Sequence, residues 1–462
     1  MKRITAGLLP LYVQLYDDSM PDMRKGVEKF LNEAKMELEK RGLEIISAPV
    51  CRVEAEFAAA VKMFEEKAAD AIITLHLAYS PSLESIVPLS ATRLPLIVFD
   101  TTPSYDFSPL QDIDAILYNH GIHGVQDMCN LLLRHGKEFH IEAGHLYESD
   151  VADRVAACAK ACCMAAQMRN ARVGIIGKPF CGMGDFQLPY ETLKATIGME
   201  VITYDDSSGA SCRACVSDED IRLEMASDYE MYNVRSLPEE VHKQSAIANL
   251  MVRRWIEKEA LTGFTVNFLD ITKTFGIPRM PFMEASKAMT RGIGYAGEGD
   301  VLTAAFVGAV MSAGFEASFT EMFCPGWRDN TIFLSHMGEM NLNLAAEKPL
   351  VIEADFPYTD AGNPAVAYGR FKGGEAVYAN LAPGAGNAYS LILSKICMMD
   401  VQGQDNMEES IHGWFEPSMP VADFLKKYSM AGGTHHGAVI YGDALKELEM
   451  FGRLMKWNVI II

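Results

Sequence analysis

The sequence predicts an α/β protein in which two doubly wound parallel-sheet domains are followed by a mainly antiparallel β C-terminal domain. Three observations carry that prediction. Short β-branched runs alternate with longer amphipathic ones through the first two-thirds of the chain, the pattern of a parallel sheet covered on both faces. The alternation restarts once, after an Ala-rich helical stretch. Past about Thr331, short strands follow one another between Gly, Pro and Asn, as antiparallel sheets do. At 462 residues the chain also exceeds one ordinary core.

In chain order, LPLYVQL leads into a helix over about residues 22–41, then EIISAPV, a helix through AAAVKMFEEKA, and the strand AIITLHL. PLIVFDTT, a helix over 123–135 and EFHIEAGHL follow, and the Ala-rich helix Val151–Arg169 closes a first domain read as residues 1–168. A second domain, 169–325, opens on RVGIIGKPF, continues through a helix and MEVITYDD, and holds GFTVNF ahead of a helix starting near Pro278 and Pro281. A third, 326–462, runs through IFLSHMGE, PLVIEADF, AVAYGRF, AVYANLA and YSLILSKICMM to a helix around 441–454.

Hydrophobic residues make up 49% and charged residues 22%, the balance of a globular protein. A net charge of −20 excludes nucleic acid as the natural partner, because a phosphate backbone needs concentrated Lys and Arg. The segment MKRITAGLLPLYVQLYDD meets Asp17 and Asp18 too early for a signal-peptide core, and no run reaches the length of a membrane span. A cytoplasmic protein without a membrane partner is expected. The ten cysteines fit a reducing compartment. Cys212 and Cys215 form a CxxC, but no second ligand pair follows, so they read as reduced surface thiols rather than a zinc knuckle.

Four segments of the C-terminal half carry candidate chemistry. GYAGEGDVLTAAF sets Glu298 and Asp300 in a glycine-rich turn that opens an apolar helix, where a carboxylate meets helix N-terminal dipoles. SFTEMFCPGW places Glu321 among apolar and aromatic neighbours, an unusual place for an idle charge. IFLSHMGEM puts His336 after a strand-like run with Glu339 three residues on, and AGGTHHGAVIYG sets His435 and His436 in a glycine-rich turn. Any one of these is ordinarily a satisfied core residue or a plain loop. Together they supply two carboxylates and two imidazoles, a set suited to Mn²⁺, Fe²⁺, Co²⁺ or Zn²⁺.

GYAGEGDVLTAA, SFTE, LSHM and AGGTHH occur in the order and spacing of the corresponding motifs of L-arabinose isomerase, and the first matches nearly residue for residue. The chain thus resembles that branch of the L-fucose/L-arabinose isomerase superfamily. LHLAYSPS, PLIVFDTT and FTVNFLD extend the likeness more loosely over the whole length. The resemblance implies a metal-dependent aldose–ketose isomerase acting on a small-molecule sugar, with Glu298, Glu321, His336 and His436 as ligands of one divalent ion, Mn²⁺ foremost. Glu298 and Glu321 match the acid/base pair. His435 matches a substrate-side position, Phe268 an aromatic lining the sugar pocket, and Gln14 and Met183 further pocket residues. His123 matches a histidine that reaches a neighbouring subunit's site, which implies a homo-oligomer, hexameric in the family. Departures from the family at Val301, Met322, Phe323 and 356–363 leave these residues intact and bear on the sugar.

Such an enzyme moves a proton between C2 and C1 through an enediol, and the paired glutamates are expected to have pKa values pushed apart. A metal-assisted hydride shift would use the same ligands. Alternatives are the same chemistry on L-fucose, D-arabinose or a C6-substituted hexose, and a non-catalytic sugar-binding protein built from two doubly wound lobes.

Overall fold

The computed structural model describes residues 4–269 and 271–462. Met1–Arg3, whose charges enter the reading of the N-terminus, and Asp270, the last residue of FTVNFLD, lie outside the described residues. The chain divides into two compact units, Lys2–Cys163 and Met164–Ile462, and the helix Val151–Arg169 runs across the division.

The first unit is one parallel sheet of β1 (Ile4–Leu11), β2 (Leu43–Ser47), β3 (Ala71–His76), β4 (Leu96–Asp100) and β5 (Phe139–Ala143), in the order β2-β1-β3-β4-β5. β3 is buried along its whole length, as a central parallel strand must be. The helices Met23–Lys40, Glu54–Glu66 and Gly121–Arg134 lie close to the spans read from sequence. The polar face of Met23–Lys40 points outward while Val27, Phe30, Leu31, Ala34 and Leu38 are buried, an i, i+3, i+4 stripe.

The second unit holds three sheets. Its strands are β6 (Arg172–Ile176), β7 (Glu200–Thr203), β8 (Asn233–Val234), β9 (Gly263–Val266), β10 (Gly294–Gly297), β11 (Ala317–Gly326), β12 (Thr331–His336), β13 (Leu350–Glu353), β14 (Ala365–Tyr368), β15 (Gly374–Pro383), β16 (Tyr389–Met398), β17 (Ile411–Pro417), β18 (His436–Tyr441) and β19 (Asn458–Ile461). β10-β9-β6-β7 form a parallel sheet. The helix Val301–Ser312, buried on nearly every side, packs against it. β15-β18-β11-β12-β17-β16-β19 form a seven-stranded sheet, antiparallel except where β19 joins β16. The α/β class with an antiparallel C-terminal sheet is therefore what the chain adopts.

Four local readings change. β13 and β14, read as part of the C-terminal sheet, instead pair with each other and with β8 in a separate three-stranded sheet. Periodicity reports that a segment is a strand but not which edge it pairs with. β11 carries Glu321 and already belongs to the seven-stranded sheet, so that sheet starts at Ala317 rather than after residue 325. The helix read over 441–454 is the end of β18 followed by the helix Leu445–Leu454. Finally, Cys212 is no surface thiol: the segment is the helix Asp206–Ala214, which buries Cys212 on its inner face and leaves Cys215 exposed at its end.

Candidate active site

Three turns of the second unit bring the chemistry together. The first follows β10. Glu298 has φ 63°, a left-handed conformation that costs a non-glycine residue energy and persists only where its surroundings impose it. They do so through Glu298 N–H donating to Val266 O at 3.1 Å and Phe180 N–H donating to Glu298 O at 2.9 Å. Gly299 follows at φ 90°, where a Cβ would sit 2.6 Å from Pro179 Cα, so only glycine fits. Asp300 then caps the helix Val301–Ser312, one carboxylate oxygen accepting from Thr303 N–H at 2.9 Å.

Sheet register supplies the rest. Glu321 on β11 lies opposite Ser335 on β12 and opposite His436 on β18, so a central strand delivers the carboxylate between two histidine-bearing neighbours. A register shift follows between Met322 and Cys324, and the outer end of β11 turns exposed.

Each histidine has its Nδ1 committed. His336 Nδ1 lies 2.6 Å from Glu339 Oε2, whose other oxygen accepts from Tyr295 OH at 2.6 Å. His436 Nδ1 lies 2.9 Å from the second oxygen of Asp300, and His435 Nδ1 lies 2.6 Å from Asp185. A carboxylate on Nδ1 fixes the ring and leaves Nε2 for a ligand. Glu321 Oε1 is 3.2 Å from His336 Nε2 and 3.1 Å from His436 Nε2, and Glu298 Oε2 is 3.5 Å from His436 Nε2.

Glu298 Oε2, His336 Nε2 and His436 Nε2 are buried without a hydrogen-bond partner. Unpaired buried polar atoms are costly unless something binds them. Three of them converging with Glu321, at separations of ~3–3.5 Å, match neighbouring donors around one ion with bonds of ~2.1 Å. Glu298, Glu321, His435 and His436 also bring one donor atom each within 4.8 Å. His336 is not one of those four, and its surroundings differ from those of His435. It is buried and its Nε2 is unpaired, whereas His435 is 37% exposed and its Nε2 stands 3.7 Å from Glu298.

Electrostatics point the same way. Burial would raise the Glu298 carboxyl, but contacts with His435 and His436 and the charge of His336 outweigh it and hold it at about 2. Burial also opposes ionisation of Glu321, and His336 and His436 again hold it far below the usual range. Burial pulls His336 down, yet Glu339 and Glu321 raise it to about 10; His436 is raised by Asp300, Glu298 and Glu321 against the same penalty. The cluster demands positive charge. The two glutamates are both depressed rather than pushed apart, because neighbouring imidazoles act on each of them.

Of the remaining candidates, Met183 sits in the 180–186 segment, its N–H 3.4 Å from Phe180 O, and Phe268 lies ring to ring with Phe180 at 5.5 Å. Gln14 and His123 are exposed residues of the first unit, His123 with its ring edge-on to His120. Sequence reading missed Asp185 and Phe186, the latter stacked on the His436 ring at 4.9 Å. In a short Gly-rich loop neither carries a periodic or motif signal. A cavity of about 850 Å³ at the carboxyl ends of β6, β7 and β9 contains none of the clustered residues, so side-chain chemistry rather than volume locates the site.

A family model of the L-arabinose isomerase central domain matches residues 192–315, and one of the L-arabinose isomerase C-terminal domain matches residues 316–458. Fold and site thus define an intramolecular oxidoreductase, an aldose–ketose isomerase. The L-arabinose isomerase of Salmonella arizonae is 23% identical over 426 residues, covering 86% of this chain and 82% of its own. That of Herpetosiphon aurantiacus is 26% identical over 371 residues (78% and 73%), and that of Geobacillus kaustophilus 24% over 414 (86% and 81%). The chain belongs to the L-arabinose isomerase family. A 5-methylthioribose transporter solute binding protein from Thermotoga lettingae covers 67% of this chain and 80% of its own at 11% identity, but its TM-score of 0.17 supports no reading of fold or function.

Proposed function

We propose that this isomerase interconverts L-arabinose and L-ribulose, or a sugar sharing their configuration, through an enediol, with Glu298, Glu321, His336 and His436 holding one divalent ion. The observation that carries the reading is that two unpaired imidazole nitrogens, of His336 and His436, meet Glu321 while a third unpaired atom, Glu298 Oε2, meets His436. Bound there, an ion such as Mn²⁺ supplies Lewis acidity toward the neighbouring hydroxyl and carbonyl oxygens of the sugar. Glu298 and Glu321, ionised at neutral pH, take and return the carbon-bound proton and move protons at oxygen. His435, held by Asp185, reaches the sugar side of Glu298 and donates to substrate oxygen. Asp300 and Glu339 hold His436 and His336 in the tautomer that presents Nε2. Phe186 and Phe319, packed on the histidine rings, keep water from their flanks. Met183 and Phe268 line the sugar pocket.

The protein acts as a homo-oligomer, a hexamer by resemblance, in which His123 reaches a neighbouring subunit's site. Support comes from the run leading to it: Tyr105, Phe107, Leu110, Ile113, Ile116 and Ile122 are all exposed, more apolar surface than a lone soluble unit ordinarily shows in one segment. Cytoplasmic residence is supported by the cysteine usage of the chain, ten in 462 residues with no framework of regular spacing. No helix among the described residues is long and apolar enough to cross a membrane.

The test is ketose formation from L-arabinose in deuterated water with the Mn²⁺-loaded protein. Deuterium entering at C1 or C2 is the expected result for the enediol route. Ketose formed without deuterium would favour a hydride shift, and the absence of any ketose would overturn the assignment.

A further inference from the structure

We propose that the cavity at the carboxyl ends of β6, β7 and β9 is a second ligand site, built for a nucleoside monophosphate and separate from the Glu298–Glu321–His336–His436 cluster.

Topology places it. In the sheet β10-β9-β6-β7, β7 follows β6 in the chain and pairs on one side of it, while β9 and then β10 are added on the other. The strand order therefore reverses between β6 and β9, and doubly wound sheets bind ligands outside their carboxyl ends at that point. The crevice found there holds about 850 Å³, within the roughly 300–1,000 Å³ of small-molecule sites.

Its chemistry differs from strand to strand. After β6, Gly177 at φ 96° brings backbone without a side chain to the cavity. Lys178 comes next, and its ammonium has no ion pair among the described residues. Asn267 Nδ2 donates to Lys178 O at 2.7 Å and fixes that turn. After β7, Asp205 Oδ1 accepts from Ser207 Oγ and from the N–H and Oγ of Ser208 at 2.8, 2.7 and 2.8 Å. The carboxylate is thus held with Oδ2 left over, and Asp206 beside it has no partner among the described residues. Leu269, Phe275 and Tyr204 supply the apolar wall, with Tyr204 edge-on to Phe275 at 6.0 Å. Tyr204 is fully buried and its hydroxyl is unpaired.

Each group selects one part of a ligand. An ionised carboxylate only accepts hydrogen bonds and repels anions, so Asp205 and Asp206 suit the hydroxyls of a ribose. Lys178 and the bare backbone at Gly177 suit a phosphate. One cation facing two carboxylates balances a single phosphate and not a triphosphate chain. The aromatic and aliphatic wall takes a planar base, which a plain sugar phosphate lacks.

The experiment is isothermal titration of the full-length protein, at one ionic strength, with AMP, adenosine, 2′,3′-dideoxy-AMP, ribose 5-phosphate and ATP. AMP is expected to bind best. Adenosine, 2′,3′-dideoxy-AMP and ribose 5-phosphate should each bind about 10-fold or more weakly, because each lacks one recognised part. Lys178→Ala should weaken AMP about 10-fold and leave adenosine unchanged, and Asp206→Ala should narrow the gap between AMP and its dideoxy analogue. Both side chains are exposed, so Tm should stay near wild type. Glu298→Gln should bind AMP as wild type does. Five results would each overturn the proposal: no heat with AMP at about 1 mM, ATP or ribose 5-phosphate binding as tightly as AMP, an AMP affinity unmoved in Lys178→Ala, a dideoxy gap unmoved in Asp206→Ala, or AMP binding lost in Glu298→Gln. None of these outcomes depends on whether L-arabinose is turned over, so the isomerase reading stands or falls separately.

Discussion

Two buried polar networks lie in the same unit of this protein and differ in one respect. The first links the helices Asp218–Met231, Glu239–Lys258 and Phe282–Thr290. Arg253 meets Glu224 at 2.7 and 2.8 Å and Glu284 at 2.6 and 3.0 Å. Lys287 bonds Glu224 at 2.6 Å and also Asp228, while Arg291 takes the second oxygen of Glu284 and His242 Nε2 takes that of Asp228. Every carboxylate oxygen there has a cationic or imidazole partner; only His242 Nδ1 is left over. The second network is the Glu298–Glu321–His336–His436 cluster, where three ligand atoms stay unpaired. Burial opposes ionisation of Glu224 as it does of Glu298, and Arg253 and Lys287 still hold Glu224 at about 2. A depressed carboxyl therefore marks both sites equally and does not locate function. What sets the second network apart is that its unpaired atoms lie together around two carboxylates.

That contrast can be broken in four ways. The largest effect is expected from Glu298→Gln and Glu321→Gln, each of which should lower kcat by roughly 10³-fold or more with far-UV circular dichroism unchanged and Tm no lower than that of metal-free wild type. Lys287→Met in the saturated network should do the reverse. It leaves Asp228 and Glu224 short of a partner and costs about 3–5 kcal/mol of stability, with activity per folded molecule retained. If Lys287→Met silenced a fully folded enzyme, or Glu298→Gln simply unfolded it, the division between the networks would be wrong.

Next in size is removal of metal. A chelator should abolish turnover and lower Tm in wild type, and added Mn²⁺ should restore both by linkage; the same treatment should leave the Tm of a His336→Ala, His436→Ala double variant unmoved. Asp300→Asn and Glu339→Gln should weaken metal binding by about 10- to 100-fold, since each frees an imidazole from its orienting carboxylate. Isothermal titration with Mn²⁺ measures this, and an unchanged Kd would remove both residues from the site.

The smallest effect is a pH dependence with a fixed sign. In the metal-free chain His336 is raised from 6.5 to about 10, so its contribution is fully present below 6.5 and lost as pH rises toward 10. Glu298 is lowered from 4.5 to about 2, so its contribution is present above 4.5 and lost as pH falls toward 2. A bound ion replaces the imidazole protons, and the Tm difference between loaded and metal-free protein should widen between pH 6.5 and 10. Scanning fluorimetry at fixed Mn²⁺ would show it; a difference that narrows would mean that the imidazoles are not ligands.

Much of this was legible in residues read singly. The alternation of strands and helices needs only local periodicity, so the parallel sheets and the helices Met23–Lys40 and Val151–Arg169 lie close to where pattern places them. GYAGEGD announces a turn because Gly299 must adopt positive φ and Asp300 must cap a helix, both local demands. Pairing was not legible. Nothing in AVAYGRF says that it leaves the large sheet for Asn233–Val234, and nothing in SFTEMF says that Glu321 faces His436 rather than the parallel sheet.

That the cluster would be made of two carboxylates and two imidazoles was thus legible in sequence alone, because donor chemistry belongs to the side chain. Tertiary structure decided which nitrogen of each imidazole faces the cluster and that Asp185, Asp300 and Glu339 hold those rings. Those features arise where segments far apart in the chain meet. A contact of that kind leaves no periodic trace in either partner.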